Sequence, residues 1–156
     1  DCPYYAPCKC KLVYKQVNAA YNIWESVEKV HTPMGLKYVS FWVQHDDNLP
    51  YTLGTILNQG DYLGATGETG YATGDHLHFN VADTKYEGQR QMPPDNNWEL
   101  KNSQHIYDIC YVNDTVIVRG LGHPWVTYSG GITPSDYKKH KFPWVLYARK
   151  FREERR

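Results

Sequence analysis

Residues 64–81 have the sequence GATGETGYATGDHLHFNV. Glycine and threonine dominate its first half, and glycine permits positive φ angles and close approach of the backbone to another group. From His76 to Val81 polar and apolar residues alternate. Because successive side chains of a strand point to opposite faces, this pattern predicts a strand that presents His76 and His78 together and buries its apolar residues.

Two histidines on one exposed face of a strand indicate chemistry. Each imidazole requires a hydrogen-bond partner or a metal. One of them can ligate Zn²⁺ through a ring nitrogen while the other transfers protons. A third histidine, His45, ends a second predicted strand over residues 37–45, and the Asp-Asp-Asn that follows at residues 46–48 predicts a turn. A histidine at a strand end is well placed at the rim of a groove lined by a sheet.

Short strand patterns recur along the rest of the chain. They cover residues 11–14, a predicted strand pair with tight turns in 54–64, and residues 111–119. Residues 18–30 carry a loose apolar spacing that fits either a helix or an irregular loop. Together these patterns predict a mainly β fold built from short, antiparallel strands.

Composition limits the classes of protein that fit. The chain has 156 residues, 41% of them hydrophobic, and its 14 Tyr and 5 Trp favour strands. No apolar run approaches the length of a bilayer span, so we expect no membrane-spanning segment. The net charge is zero, but residues 138–156 carry eight Lys/Arg against two Glu. This basic tail would contact an anionic surface such as a wall polymer, contact a neighbouring subunit, or remain solvated. No motif accompanies it that would indicate nucleic acid as a partner.

Four cysteines are present, and the first three form a C-x5-C-x-C pattern. Two cysteines separated by one residue could share a metal on one strand face. No second Cys/His pair lies nearby at the spacing of a zinc finger. We therefore expect reduced, half-buried cysteines: Cys2, Cys8, Cys10 and Cys110.

Residues 64–81 resemble the signature of the lysostaphin-type zinc endopeptidases, the M23 or LytM-like family, in which a glycine-threonine loop precedes His-x-His-Phe. Residues 43–45 are similar to the family's other catalytic strand, which ends in histidine. Residues 54–64 are similar to its connecting segment, and residues 5–7, Tyr-Ala-Pro, to the start of its core strand. The resemblance covers about residues 4–82.

This resemblance implies an architecture and a division of the chain. The fold would be an antiparallel sheet forming a groove, as in the M23/LytM-like peptidases, with a C-terminal β-rich extension. Residues 1–84 would form the C-terminal part of the peptidase domain. Residues 85–156 would pack on that domain or on a neighbouring subunit.

The resemblance also implies roles for the three histidines. His78 would be a zinc ligand, and His45 and His76 would be the catalytic pair that orients or deprotonates a metal-bound water and stabilises the oxyanion. The substrate would be a peptide of bacterial peptidoglycan. Residues 98–125 are similar to the segment that follows the peptidase domain in phage tail wall-degrading proteins. That similarity implies a location in the virion or outside the cell, with other tail subunits as partners.

One departure from the family pattern leaves alternatives open. The family takes two further zinc ligands, a His and an Asp, from a motif ahead of the Tyr-Ala-Pro strand, yet only five residues precede Ala6 and none is His. Three explanations compete. The chain begins after that motif, it has been cut there, or the protein has lost the metal and kept the fold as a structural or wall-binding tail component. The start at Asp1 rather than Met favours the first two. A biotinyl- or lipoyl-like carrier domain also fits residues 54–64 but requires a lysine at a hairpin tip.

Overall fold

The computed structural model describes residues 3–92, 97–112, 115–118 and 126–128. Within these ranges the chain forms strands and one short helix. In chain order they are β1 (Pro3–Tyr5), β2 (Cys10–Gln16), β3 (Tyr21–Ser26), β4 (Val30–Thr32), β5 (Gly35–Lys37), β6 (Ser40–Gln44), β7 (Ile56–Leu57), β8 (Tyr62–Ala65), β9 (His78–Ala82), β10 (Gln89–Met92), β11 (Asn97–Leu100), β12 (Ser103–Gln104), α1 (Ile106–Ile109), β13 (Tyr111–Val112), β14 (Thr115–Val118) and β15 (Val126–Tyr128).

The largest element of the fold is a six-stranded sheet in the order β12-β9-β6-β3-β2-β7. Every neighbouring pair of its strands is antiparallel. Smaller sheets pair β1 with β8, β4 with β5, β10 with β11, and β14 with both β13 and β15. The predicted mainly β, antiparallel architecture is therefore confirmed. The division of the chain at residue 84 stays a prediction.

Two apolar clusters cover the two faces of the large sheet. Trp24 and Phe41 belong to the larger cluster, and Ile23 and Trp42 belong to the smaller one. These residues are paired across β3 and β6, with Trp24 opposite Phe41 and Ile23 opposite Trp42. Because both faces are covered, the two central strands, β3 and β6, are buried along most of their length. His45 follows directly after the end of β6.

The prediction of a helix or an irregular loop in residues 18–30 is wrong over Tyr21–Ser26, which form β3. The physical reason is the burial of this strand on both faces. Consecutive residues Asn22, Ile23 and Trp24 are all buried, so the alternation that marks a half-exposed strand is missing. Partners on either side, β2 and β6, determine the conformation.

Other predicted strands exist but differ in their partners or bounds. Residues 54–64 contain β7 and begin β8, as expected, yet β7 pairs with β2 and β8 with β1 instead of with each other. The strand predicted from His76 begins at His78. These differences arise from pairing between segments far apart in sequence, which local patterns do not encode.

Three of the cysteines lie in the larger apolar cluster. Cys8, Cys10 and Cys110 are free thiols in the structure, and they are fully buried, so the expectation of half-buried side chains is wrong for these three. Burial raises the pKa of Cys8 to about 12, so its thiol is protonated and unreactive as a nucleophile at neutral pH. Cys2 lies outside the described residues.

The basic tail at residues 138–156 also lies outside the described residues. Within the ranges that the structure describes, no helix combines the length and the apolar character that a bilayer crossing requires.

Candidate functional site

The antiparallel pairing of β6 and β9 brings the predicted site residues together. Gln44, the last residue of β6, lies opposite His78, the first residue of β9. His45 follows directly, and its ring centroid lies 4.6 Å from that of His76 and 5.9 Å from that of His78. The structure therefore gathers His45, His76 and His78 at one end of the large sheet.

His45 has an unusual backbone conformation for a residue with a side chain. Its φ angle is +76°, in the left-handed region that non-glycine residues seldom adopt. Its backbone N–H donates to the carbonyl of Ala20 at 2.9 Å. The side chain is only 4% exposed. Such a conformation persists when the surrounding structure enforces it, and it is typical of functional sites.

The hydrogen bonds of two histidines define their tautomers. His45 Nδ1 lies 2.9 Å from the carbonyl oxygen of Thr69, and His76 Nδ1 lies 2.7 Å from that of Gly74. A carbonyl oxygen can only accept, so each Nδ1 carries the proton and donates it. In the neutral rings Nε2 therefore keeps its lone pair. Both imidazoles can accept a proton at Nε2.

The glycine-rich loop folds back on itself to position His76. His76 forms an isolated antiparallel bridge with Gly67, and its backbone N–H donates to the Gly67 carbonyl at 3.3 Å. Gly67 lies close to His45, because a Cβ atom added to it would collide with the His45 carbonyl oxygen. Gly70 adopts a φ angle of +87°. The freedom and close approach expected of these glycines are thus present at the site.

His78 lies in an environment that disfavours its cation. Desolvation by the surrounding groups lowers its pKa below the ordinary histidine value, and the nearby His45 and His76 lower it further. The indole ring of Trp42 lies 6.3 Å from the His78 ring, centroid to centroid. A neutral imidazole is the form that ligates a metal.

The described residues do not by themselves meet the donor requirement of a zinc site. Zinc sites in proteins use three or four side-chain ligands. In the part of the chain that the structure describes, no group of three or more His, Cys, Asp or Glu side chains is arranged to hold a metal ion. The three histidines form a cluster of imidazoles rather than a complete metal centre.

A buried carboxylate supports the segment that carries His45. Asp46 Oδ2 accepts hydrogen bonds from the Tyr4 hydroxyl at 2.7 Å and from the Ala65 N–H at 3.1 Å, and Oδ1 accepts from the Asn48 N–H at 2.8 Å. Burial raises the pKa of Asp46, although these hydrogen bonds oppose the rise. Asp46 therefore ties the end of β6 to β1 and β8. Sequence reasoning identified only a turn here, because Tyr4 lies 42 residues away.

A cavity lies beside the strand that carries His78. Its volume is about 590 Å³, and its lining includes Phe79 and Asn80 of β9 together with Arg90 and Ile106. The Arg90 guanidinium pairs with Glu99 at 2.6 Å across the β10–β11 hairpin. The cavity is a recess along β9 with both apolar and charged walls, and none of the three clustered histidines lines it.

The site is thus a histidine cluster at the end of an antiparallel sheet, closed by a glycine-rich loop.

The chain is 41% identical over 128 residues to "Morphogenesis protein 1" of Bacillus phage B103, an alignment that covers 80% of this chain and 34% of that protein. The chain spans about a third of the length of this relative. It is therefore similar to a segment of a bacteriophage morphogenesis protein.

A solved structure, a zinc-containing peptidase from Vibrio cholerae, aligns with a TM-score of 0.38 and 23% sequence identity, covering 47% of this chain and 21% of that one. No protein-family model matches the sequence.

Proposed function

We propose that this chain is part of a phage-associated peptidase that hydrolyses peptide bonds in bacterial peptidoglycan. The observation that carries the proposal is the pair His45 and His76, whose ring centroids lie 4.6 Å apart and whose Nδ1 atoms each bind a backbone carbonyl. The resemblance of residues 64–81 to the M23/LytM-like endopeptidases supplies the reaction class. The similarity to a phage morphogenesis protein supports the phage setting.

The two imidazoles would perform the proton transfers of amide hydrolysis. With its Nδ1 proton donated to Thr69, neutral His45 can accept a proton at Nε2 from an attacking water. His76, oriented in the same way by Gly74, can donate at Nε2 once protonated, either to the developing oxyanion or to the leaving amine. Adjacent imidazoles with fixed tautomers suit this division of labour, because neither ring must reorient during the reaction.

Zinc is the metal that the family resemblance implies, and when bound it would polarise the scissile carbonyl and lower the pKa of water. We assign His78 as a zinc ligand, the role that the family resemblance implies for it. Since no complete donor group is present among those residues, the remaining ligands would have to lie outside them. We therefore assign proton transfers only to His45 and His76 and derive no step through the metal.

The phage setting suggests where the protein acts. We place it in the virion or outside the cell, at the bacterial wall, with other phage subunits as neighbours. The cavity beside β9 offers space for part of a peptide substrate, with Phe79 as an apolar wall and Arg90 as a charged one.

A second function is favoured by one observation. Because no metal-binding group is present among the described residues, the chain would alternatively be a non-catalytic tail component that keeps the peptidase-like fold. In that case the histidine cluster would bind or position a wall peptide without cleaving it.

The two functions differ in the products formed from purified peptidoglycan. The full-length natural protein should release new amino groups, measured separately from reducing sugars so that peptide and glycan cleavage are distinguished. Chelation should abolish amine release and added zinc should restore it, and elemental analysis should find less zinc in the His78→Ala variant. Co-sedimentation with the wall without any amine release would reject the hydrolase and support the binding role.

A further inference from the structure

Asp47 connects the strand end that carries His45 to the glycine-rich loop. Its Oδ1 atom accepts three hydrogen bonds: from the Glu68 N–H at 3.1 Å, the Thr69 N–H at 3.0 Å and the Thr69 hydroxyl at 2.5 Å. Three donors on one carboxylate oxygen hold residues 68–69 in a single conformation, because a carboxylate is a strong acceptor with several lone-pair directions.

The residue held in this way is the one that orients His45. Thr69 donates to Asp47 through its N–H and hydroxyl, and its carbonyl oxygen accepts from His45 Nδ1 at 2.9 Å. These contacts form a closed ring. Asp47 holds Thr69, Thr69 holds the His45 ring, and the backbone connects His45 to Asp47, two residues further along the chain. Outer partners of a functional histidine commonly set its tautomer in this manner.

The packing around this closed ring of contacts leaves little room for rearrangement. A Cβ atom added to Gly67 would lie 2.6 Å from Asp47 Oδ1 and would collide with the His45 carbonyl oxygen. The loop is therefore pressed against the same two residues that the hydrogen bonds join. Asp47 itself is exposed, so its substitution removes no part of the apolar core.

We infer that Asp47 is a positioning residue that, through Thr69, holds His45 in the Nδ1-protonated tautomer with Nε2 available for proton transfer. This inference deepens the proposed function and rests on it for its catalytic consequence. Asp47 touches neither substrate nor reacting atoms in this scheme. This role of Asp47 is not indicated by its place in a predicted turn.

The test compares two substitutions of Asp47. Asp47→Asn keeps the shape of the side chain and a neutral oxygen acceptor facing the loop donors, whereas Asp47→Ala removes the acceptor. The readout is the ¹⁵N and ¹H NMR signature of the His45 ring in the full-length natural protein with labelled histidine. His31, on β4, provides an internal reference in the same spectra.

We expect His45 to show a protonated Nδ1 in the wild-type protein and in Asp47→Asn, and averaged tautomers in Asp47→Ala, with His31 unchanged in all three. Peptide hydrolysis should fall about 10- to 100-fold in Asp47→Ala and be largely restored in Asp47→Asn. An unaltered His45 signature in Asp47→Ala, or an Asp47→Asn variant that behaves like Asp47→Ala, would overturn the inference. The NMR measurement requires no turnover, so a protein without peptidase activity would reject the proposed function and leave the test of Asp47 intact.

Discussion

The Nδ1 atom of His45 lies 2.9 Å from the carbonyl oxygen of Thr69, a residue 24 positions further along the chain. This single hydrogen bond joins the end of a buried central strand to the glycine-rich loop. It determines which nitrogen of a nearly buried imidazole carries the proton. The chemistry available at the site therefore depends on how well the loop is held, as well as on the histidines themselves.

Close packing at Gly67 should make this position intolerant of a side chain. We expect Gly67→Ala to lower the free energy of unfolding by about 1–3 kcal/mol, because its Cβ would collide with backbone and with Asp47, neither of which can easily move. Gly74→Ala, in the same loop, meets nothing within 4 Å and should change stability by less than about 0.5 kcal/mol. Denaturant unfolding of both variants measures the difference. Equal stabilities would show that the loop does not press against the His45 segment.

Removing the Tyr4 hydroxyl should leave the buried Asp46 carboxylate short of a donor. We expect Tyr4→Phe to lower the free energy of unfolding by about 1–3 kcal/mol. Tyr38→Phe is the matched control, because the Tyr38 ring is partly exposed and would keep its contact with Lys85 Nζ, 4.9 Å from the ring centroid. Thermal or denaturant unfolding provides the measurement. A Tyr4→Phe protein as stable as Tyr38→Phe would mean that Asp46 does not depend on this bond.

The two adjacent aspartates should titrate on opposite sides of the ordinary aspartate range. Burial raises the pKa of Asp46, whereas hydrogen bonds from the Thr69 hydroxyl and the Glu68 N–H lower the pKa of Asp47. Asp47 therefore stabilises the folded loop above its unfolded-state pKa, and that contribution is lost as pH falls through its folded-state value. The pH dependence for Asp46 is the opposite. Its contribution to the stability of the folded state is present at low pH and is lost as pH rises through its raised pKa.

Carboxyl ¹³C titration of the labelled protein resolves both groups. The expected result is a midpoint for Asp46 above that for Asp47, and a downward shift of Asp47 that is smaller in Thr69→Val, in which the hydroxyl donor is gone and the two backbone donors remain. Coincident midpoints, or an Asp47 midpoint unaffected by Thr69→Val, would contradict the arrangement of hydrogen bonds around the loop.

The sequence predicted the parts of this site that depend on local pattern. The alternation after Gly74 indicated a strand carrying His78, and the predicted strand ending at His45 placed a third histidine at the rim of a groove lined by a sheet. Neither pattern specified that β6 and β9 are neighbours, which follows from long-range pairing. The mainly β class was predictable because period-two patterns recur along the chain.

What sequence reasoning missed depends on contacts between distant segments. Asp46 and Asp47 belong to a turn by composition, but their partners are Tyr4 and residues 65–69, which only the fold brings near. The burial of β3 on both faces removed the alternation that would have revealed it. A pair of acidic residues directly after a candidate catalytic histidine is the one local signal that could have prompted a search for such supports.

If the histidine pair performs proton transfer in peptide-bond hydrolysis, His45→Ala should slow the reaction, because it removes one of the two imidazoles. In the full-length natural protein, the rate of amine release from purified peptidoglycan should fall by about 10²- to 10⁴-fold in this variant. His31→Ala, which changes an exposed histidine on β4, should match the wild-type rate. Amine release at the wild-type rate by His45→Ala would contradict the account.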